Sequence, residues 1–293
     1  MELIIRSNDM QEVEGITAEY PYVLNSVNGK DTLVPWHWHE EVEFSFIVRG
    51  SLRVTVSGHS YVFRENEGFY LNSNILHTME PADSREDTFW HSYMFHPMFL
   101  GGHYKSVFET KYMAPVLKNK KSDLAAFRPE NERQLHILQL LKLAADLQAE
   151  ENSEFRIRNT FSDIWLLLIR ELQEKEYDSQ LAKPVSQERI QTMLEFIHRH
   201  YHEKITLEQI ASSAIVSKRE CLRCFQSCIQ KTPIEYLLDY RIQQAQKLLR
   251  TTTLPVTEIA MQTGFHNSAY FTKVFRQLRG VSPSQYRKRG SCV

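Results

Sequence analysis

The chain has 293 residues, 42% of them apolar, and a formal net charge of −1, enough for two compact domains with their own cores. Its longest apolar runs, such as Trp165–Ile169, are far too short to cross a bilayer, and Glu2, Arg6 and Asp9 interrupt any apolar leader. Three of the four cysteines, Cys221, Cys224 and Cys228, bunch on one predicted helix with Cys292 apart. A disulfide framework would spread them, so the chain reads as a reduced, cytoplasmic protein.

In chain order, residues 20–95 read as β-structure. Runs at Glu43–Arg49, Ser51–Ser57, His59–Arg64 and Phe69–Asn72 are separated by turn signals at Arg49-Gly50, Ser57-Gly58 and Glu67-Gly68. Short, regularly spaced strands predict a barrel or sandwich. From about Glu130 the period turns helical. Leu135, Leu138, Leu141 and Ala145 make one apolar stripe, and Ile137, Leu140, Ala144 and Leu147 make a second. A following helix places Ile157, Phe161, Ile164, Trp165, Leu168 and Leu172 on one face. These helices are expected to pack on the β-domain. The remaining apolar surface either enlarges that core or forms a dimer seam. The polar stretch Tyr177–Gln187, with Pro184, is the linker candidate.

Charge is divided unevenly between the two ends. Residues 186–293 hold 16 Lys and Arg against 8 Asp and Glu, a net +8, whereas the remainder is −9. A basic third on an acidic body suits a domain that neutralises phosphates. The same third repeats itself. Ile210-Ala211 matches Ile259-Ala260 at an offset of 49, and Phe225, Pro233 and Tyr236 match Phe275, Pro283 and Tyr286 at an offset of 50. A predicted helix, Ile234–Arg250, joins the copies, with Leu237, Ile242, Ala245, Leu248 and Leu249 facing inward.

Each copy has the logic of a helix-turn-helix. In the second, a short helix over Glu258–Thr263 precedes Gly264, placed for a left-handed cap, and Asn267 caps a helix over Ser268–Arg279. That helix would bury Phe271, Val274, Phe275 and Leu278 and present Ser268, Ala269, Thr272, Lys273 and Arg276. In the first, Thr206 with Gln209 and Ser217 with Glu220 read as capping boxes. The helix from Lys218 would bury Cys221, Cys224, Phe225 and Cys228 and leave Lys218, Arg219, Leu222 and Arg223 outside. A groove-reading helix needs such a division, because its outer N-terminal residues enter the major groove while the apolar face anchors it. Lys118–Lys121 reads as a solvated loop, and Arg287–Arg289 as a further source of phosphate contacts.

Residues 187–290 resemble the DNA-binding domain of the AraC/XylS family. The likeness is carried by Ile210-Ala211, the linker YLLDYRIQQAQKLL and the run IAMQTGFHNSAYFTKVFRQLRGVSPSQYR. It implies contacts to double-stranded DNA from Lys218, Arg219, Leu222 and Arg223, and from His266, Asn267, Ser268, Ala269, Tyr270 and Lys273. The first copy departs from the family pattern at Ile215 and Gln230, where Gly is usual; a positive φ at either would be strained.

The N-terminal region resembles the cupin sensor domains common in that family. His37-x-His39-x3-Glu43-x6-Gly50 fits the first cupin motif, and His77 stands where the second supplies its histidine. The motif's opening glycine is displaced to Gly29, and the second motif lacks its usual prolines. On one extended strand, residues 37, 39 and 43 would share a face. Two readings follow. In the first, His37, His39, Glu43 and His77 are polar anchors for a small organic effector, a sugar being compatible, with Trp36, Trp38 and Tyr70 nearby; no cofactor is then required. In the second, the same four hold a divalent transition metal. The first is preferred, since family members often bind effectors there.

The expected fold class is α+β with two domains, a cupin-like β-barrel with packed helices and an all-α double helix-turn-helix. The expected boundaries are 1–128 for the sensor, 129–178 for a helical connector with dimerisation helices, 179–187 for the linker and 188–290 for the DNA-binding domain. The function read from this is an effector-sensing DNA-binding transcription regulator, not an enzyme. By resemblance it is an activator working through RNA polymerase, a homodimer without a membrane partner. The alternatives are a metal-dependent cupin enzyme fused to a DNA-binding module, and a ligand-independent DNA-binding protein.

Overall fold

The computed structural model describes residues 4–5, 11–30, 34–56, 58–83, 87–119, 123–176 and 187–290. The linker expected at 179–187 lies outside them except for Gln187, as do Cys292 and Lys121. The chain divides into two compact units, Met1–Gln187 and Glu188–Val293.

The strands of the first unit are β1 (Ile4–Ile5), β2 (Gln11–Glu12), β3 (Tyr22–Asn28), β4 (Val34–His37), β5 (Val42–Arg49), β6 (Ser51–Val56), β7 (His59–Arg64), β8 (Gly68–Leu71), β9 (His77–Pro81), β10 (Phe89–Phe95) and β11 (Leu124–Phe127). Apart from the β1–β2 ribbon they form two antiparallel sheets, ordered β11-β8-β5-β10-β3 and β4-β9-β6-β7. The first six residues of β5 are all buried, because both faces of the five-stranded sheet are covered. Alternation divides them. Ile47, with Phe69, Leu71 and Trp90, meets Leu52, Val54, Val56, Phe63 and Met79 of the other sheet in one core. Val42, Phe44 and Phe46, with Tyr70, Tyr93 and Phe95, turn the other way, towards helices.

Those helices are α1 (Met98–Gly101), α2 (Ala114–Leu117), preceded by a π-helical segment at Phe108–Met113, α3 (Glu132–Leu147) and α4 (Glu154–Glu176). Both apolar stripes of α3 contribute to this core, through Leu138 and Leu141 and through Ile137, Ala144 and Leu147, and α4 adds Ile157, Phe161, Ile164, Trp165 and Leu168. Leu135, Leu143 and Leu166 stay exposed. Tyr70, expected near the histidines, instead packs against Phe44 and Trp165 on the helical side, because its parity opposes that of Phe69 and Leu71.

The C-terminal helices are α5 (Gln187–His200), α6 (Leu207–Ser213), α7 (Lys218–Cys228), α8 (Pro233–Thr251), α9 (Val256–Gln262), α10 (Ser268–Arg279) and α11 (Pro283–Gly290). Ile242, Ala245 and Leu249 of α8 pack with Ile259, Ala260, Phe265, Phe271, Val274 and Phe275. Leu278, expected inside, is 37% exposed, since it falls in the last turn of α10, beyond that core.

The repeat is realised down to its turns. Ile215 N–H bonds Ser212 O and Val216 N–H bonds Ala211 O; 49 residues on, Gly264 bonds Met261 and Phe265 bonds Ala260 in the same pattern. This left-handed turn closes the preceding helix and needs positive φ. Gly264 supplies it at φ 81°, Ile215 at 55°. The second departure behaves alike, with Gln230 at φ 59° where the later copy has Gly280 at 74°. A β-carbon on Gly264 would also lie 2.5 Å from the Tyr201 carbonyl oxygen, whereas Ile215 is 94% exposed. The second turn therefore needs glycine for space as well as backbone conformation, whereas the first has room for a side chain and meets only the backbone strain.

Candidate functional site

Helices α7 and α10 begin on well-made caps. The Ser217 hydroxyl accepts the Glu220 N–H at 3.2 Å, and Asn267 Oδ1 accepts from the Ala269 and Tyr270 amides at 2.9 and 3.0 Å. The box at Thr206 and Gln209 is reciprocal. The one expected at Ser217 is only half made, because the Glu220 carboxylate takes two bonds from Arg223, at 2.6 and 2.8 Å, in place of the cap amide. Apolar residues every three or four positions then bury one face of each helix: Cys221, Cys224, Phe225 and Cys228 on α7, and Phe271, Val274 and Phe275 on α10. Burial pushes the Cys221 thiol up to about 11, which suits a core residue and disfavours the thiolate a metal or redox role needs.

The opposite faces stand in solvent. Lys218, Arg219, Leu222 and Arg223 are all exposed, as are His266, Asn267, Ser268, Ala269, Tyr270 and Lys273. Lys218 pairs with Glu208 at 2.5 Å and Arg223 with Glu220, both at the surface, where solvent screens such pairs and they exchange readily for other partners.

The second group of residues meets between the sheets. His37 ends β4, His77 opens β9, and the two are direct partners in the ladder. Glu43 comes from β5 of the other sheet, and His39 from the connection between β4 and β5. The four converge across two sheets, not along one strand as the parity argument had it, because the chain leaves β4 after His37.

Their hydrogen bonds fix their chemistry. His37 Nδ1 donates to Pro35 O at 2.8 Å, His39 Nδ1 to Glu41 O at 2.9 Å and His77 Nδ1 to Ile75 O at 2.8 Å. A carbonyl only accepts, so each Nδ1 carries a proton. Burial holds His37 down to about 3 and His77 well below the usual range, aided by neighbouring imidazoles. Both rings are neutral, with a lone pair on Nε2.

One ligand atom from each histidine lies within 4.8 Å of those of the other two. Glu43 Oε2 sits 3.4 Å from His39 Nε2 and 3.6 Å from His77 Nε2, and neither Nε2 has a hydrogen-bond partner. Glu43 Oε1 accepts from Ser45 Oγ at 2.9 Å and Ser92 Oγ at 2.7 Å, which leaves Oε2 to the histidines. Burial alone would raise the Glu43 pKa, but the adjoining His39 and the Ser92 hydroxyl outweigh it and hold the carboxyl below its ordinary value. Donor atoms of three buried histidines lie close together beside a buried carboxylate, and this donor set suits a divalent transition metal. Ser45 was legible from its parity with Glu43; Ser92, 49 residues away, left no sequence signal. Trp38 is buried and Trp36 partly so.

Known proteins fit this description. An AraC-like ligand binding domain model matches residues 23–159, and a helix-turn-helix domain model matches residues 210–289. The HTH-type transcriptional regulator YdeC of Bacillus subtilis is 29% identical over 98% of this chain and 99% of its own. The regulatory protein SoxS of Salmonella typhimurium is 34% identical over 35% of this chain and 96% of its own. The solved DNA-binding domain of AdpA, in complex with a target DNA, is 30% identical over 37% of this chain and 93% of that one, with a TM-score of 0.33. No helix among the described residues is long and apolar enough to cross a membrane. With a ligand-binding domain ahead of two capped helix-turn-helix units, the chain belongs to the AraC family of transcriptional regulators.

Proposed function

We propose that this regulator binds two DNA half-sites through α7 and α10, and that its effector is a divalent transition metal held by His37, His39, His77 and Glu43. The DNA contacts are Lys218, Arg219, Leu222 and Arg223 in one half-site and His266, Asn267, Ser268, Ala269, Tyr270 and Lys273 in the other. Their exposure on capped helices supports this. Arg can pair bidentately with guanine, small polar residues allow close approach, and Lys attracts phosphate.

The observation that carries the metal reading is the buried cluster of His37, His39 and His77 donor atoms, with the Nε2 atoms of His39 and His77 unpartnered beside Glu43. The four residues are only 0–3% exposed, which suits an ion and leaves no access for a sugar in this conformation. When bound, the metal supplies charge neutralisation and ties the two sheets together. The carbonyls of Pro35, Glu41 and Ile75 orient the imidazoles, and Ser45 and Ser92 orient Glu43. Metal binding then shifts the population of DNA-competent arrangements, and DNA shifts metal affinity by the same factor.

Activation through RNA polymerase and a homodimer complete the proposal; exposed Leu135, Leu143 and Leu166 on α3 and α4 support the dimer. A second reading, an organic effector, is favoured by a cleft of about 460 Å³ lined by Tyr20, Pro21, Met98, Phe99, Phe155 and Arg158, a size usual for small-molecule sites.

The test is elemental analysis of purified protein with DNA titration before and after chelation. Stoichiometric zinc, nickel, iron or manganese, lost in His77→Ala and coupled to DNA affinity, is the expected result. Metal-free protein that no metal stabilises, with an organic compound raising its melting point, would replace the metal reading by the second.

A further inference from the structure

Helix α8 does more than join the two copies, for it carries two buried or half-buried charges that each reach both of them. Arg241, 9% exposed, donates from Nε to Tyr201 O and from Nη2 to Glu203 O, both at 2.7 Å. These carbonyls follow the end of α5 in the first copy. The same guanidinium lies 5.7 Å from the ring centre of Phe265, in the second copy's turn. Phe265 in turn meets Tyr270, in the first turn of α10, at 6.1 Å. Gly264 approaches the Tyr201 carbonyl so closely that no β-carbon fits. The start of α10 is thus registered against the first copy through one arginine.

Two residues earlier in α8, and so about 200° round the helix, Asp239 does the same for the far ends of the helices. Its carboxylate pairs with Lys231, which follows α7, and lies 3.7 Å from Arg279, the last residue of α10. Gln246 holds Arg279 from the same helix at 2.6 Å.

We infer that Arg241 and Asp239 are positioning residues, forming a two-sided clamp that fixes the spacing and angle between α7 and α10. The consequence is a specificity that neither groove-reading helix possesses alone, namely intolerance of altered distance between half-sites. This rests on the proposed reading that α7 and α10 each engage DNA. Tethered units bind as one only when their geometry matches the site. Inserting one base pair rotates one half-site by about 35° and displaces it along the axis, so a rigid pair must lose affinity and a loosened pair loses less.

The full chain would be used to select duplexes from a random pool. Binding would then be measured on the recovered duplex, on versions with one and two base pairs inserted between half-sites, and on a version with one half-site scrambled. Arg241→Lys keeps the charge but loses the fork, and Asp239→Asn keeps the shape but loses both ion pairs. In each, the insertion penalty should shrink by about tenfold, with affinity for the scrambled duplex changed less than twofold. Proportional weakening on every duplex, or an unchanged insertion penalty, would reduce both residues to ordinary stabilisers. Should Arg241→Lys not fold, Asp239→Asn decides. Recovery of a single half-site by the wild-type chain would instead overturn the two-helix reading on which the clamp depends.

Discussion

Replacing Ile215 by glycine should stabilise the C-terminal domain, although it deletes a large apolar side chain. The residue sits at φ 55° and is 94% exposed, so its side chain contributes almost no packing. A left-handed backbone costs an L-residue about 1–2 kcal/mol, and β-branching places Ile at the upper end. Glycine removes that strain but gives back about 0.5–1 kcal/mol through the greater freedom of the unfolded chain. The net gain is about 1–1.5 kcal/mol. For a domain of roughly a hundred residues that is a rise in melting temperature of about 4–12 °C. Urea unfolding of the full chain, read by amide exchange in α6 and α7, would measure it. The matched experiment is Gly264→Ala. There the strain adds to the contact with Tyr201, and a loss of about 2–3 kcal/mol is expected. If Ile215→Gly leaves stability unchanged or lowers it, the equivalence of the two turns is wrong.

Further outcomes can be checked on the same protein. Gln230→Gly should act as Ile215→Gly does but more weakly, since Gln is unbranched; a loss of stability would show that its side chain does something else there. Lys273→Ala should weaken binding to selected DNA and reduce the slope of log affinity against log salt by about one; an unchanged slope would remove it from the phosphate contacts. Ser92→Ala should lower metal affinity about tenfold without abolishing binding, because it releases one hold on Glu43 and touches no imidazole. Equal affinity by competitive chelation would place the carboxylate under other control. Asn267→Ala should cost about 1 kcal/mol through the lost cap, and a cost near zero would mean that the Ala269 and Tyr270 amides are satisfied by water alone.

The helical repeat was legible in the order of the amino acids, because its cause is local: apolar residues three and four apart, caps at Ser217 and Asn267, and the left-handed position at Gly264. The same locality made the departures at Ile215 and Gln230 readable in advance as strained backbone. It also assigned His37, His39, Glu43 and His77 to one site, since motif spacing survives even where the geometric reason given for it does not. What that site can be became visible only in the packed sheets. The orientation and clustering of the imidazoles depend on carbonyls of Pro35, Glu41 and Ile75 and on two sheets closing over one another, and no periodicity encodes a contact across sheets. Tyr70 and Leu278 were misplaced for related reasons, the one by a parity that only the partner layer reveals, the other by lying in the final turn of its helix, past the end of the core. The pairing of Arg241 with carbonyls forty and thirty-eight residues away is likewise a product of packing, because a charge finds its buried partners only after the helices have met.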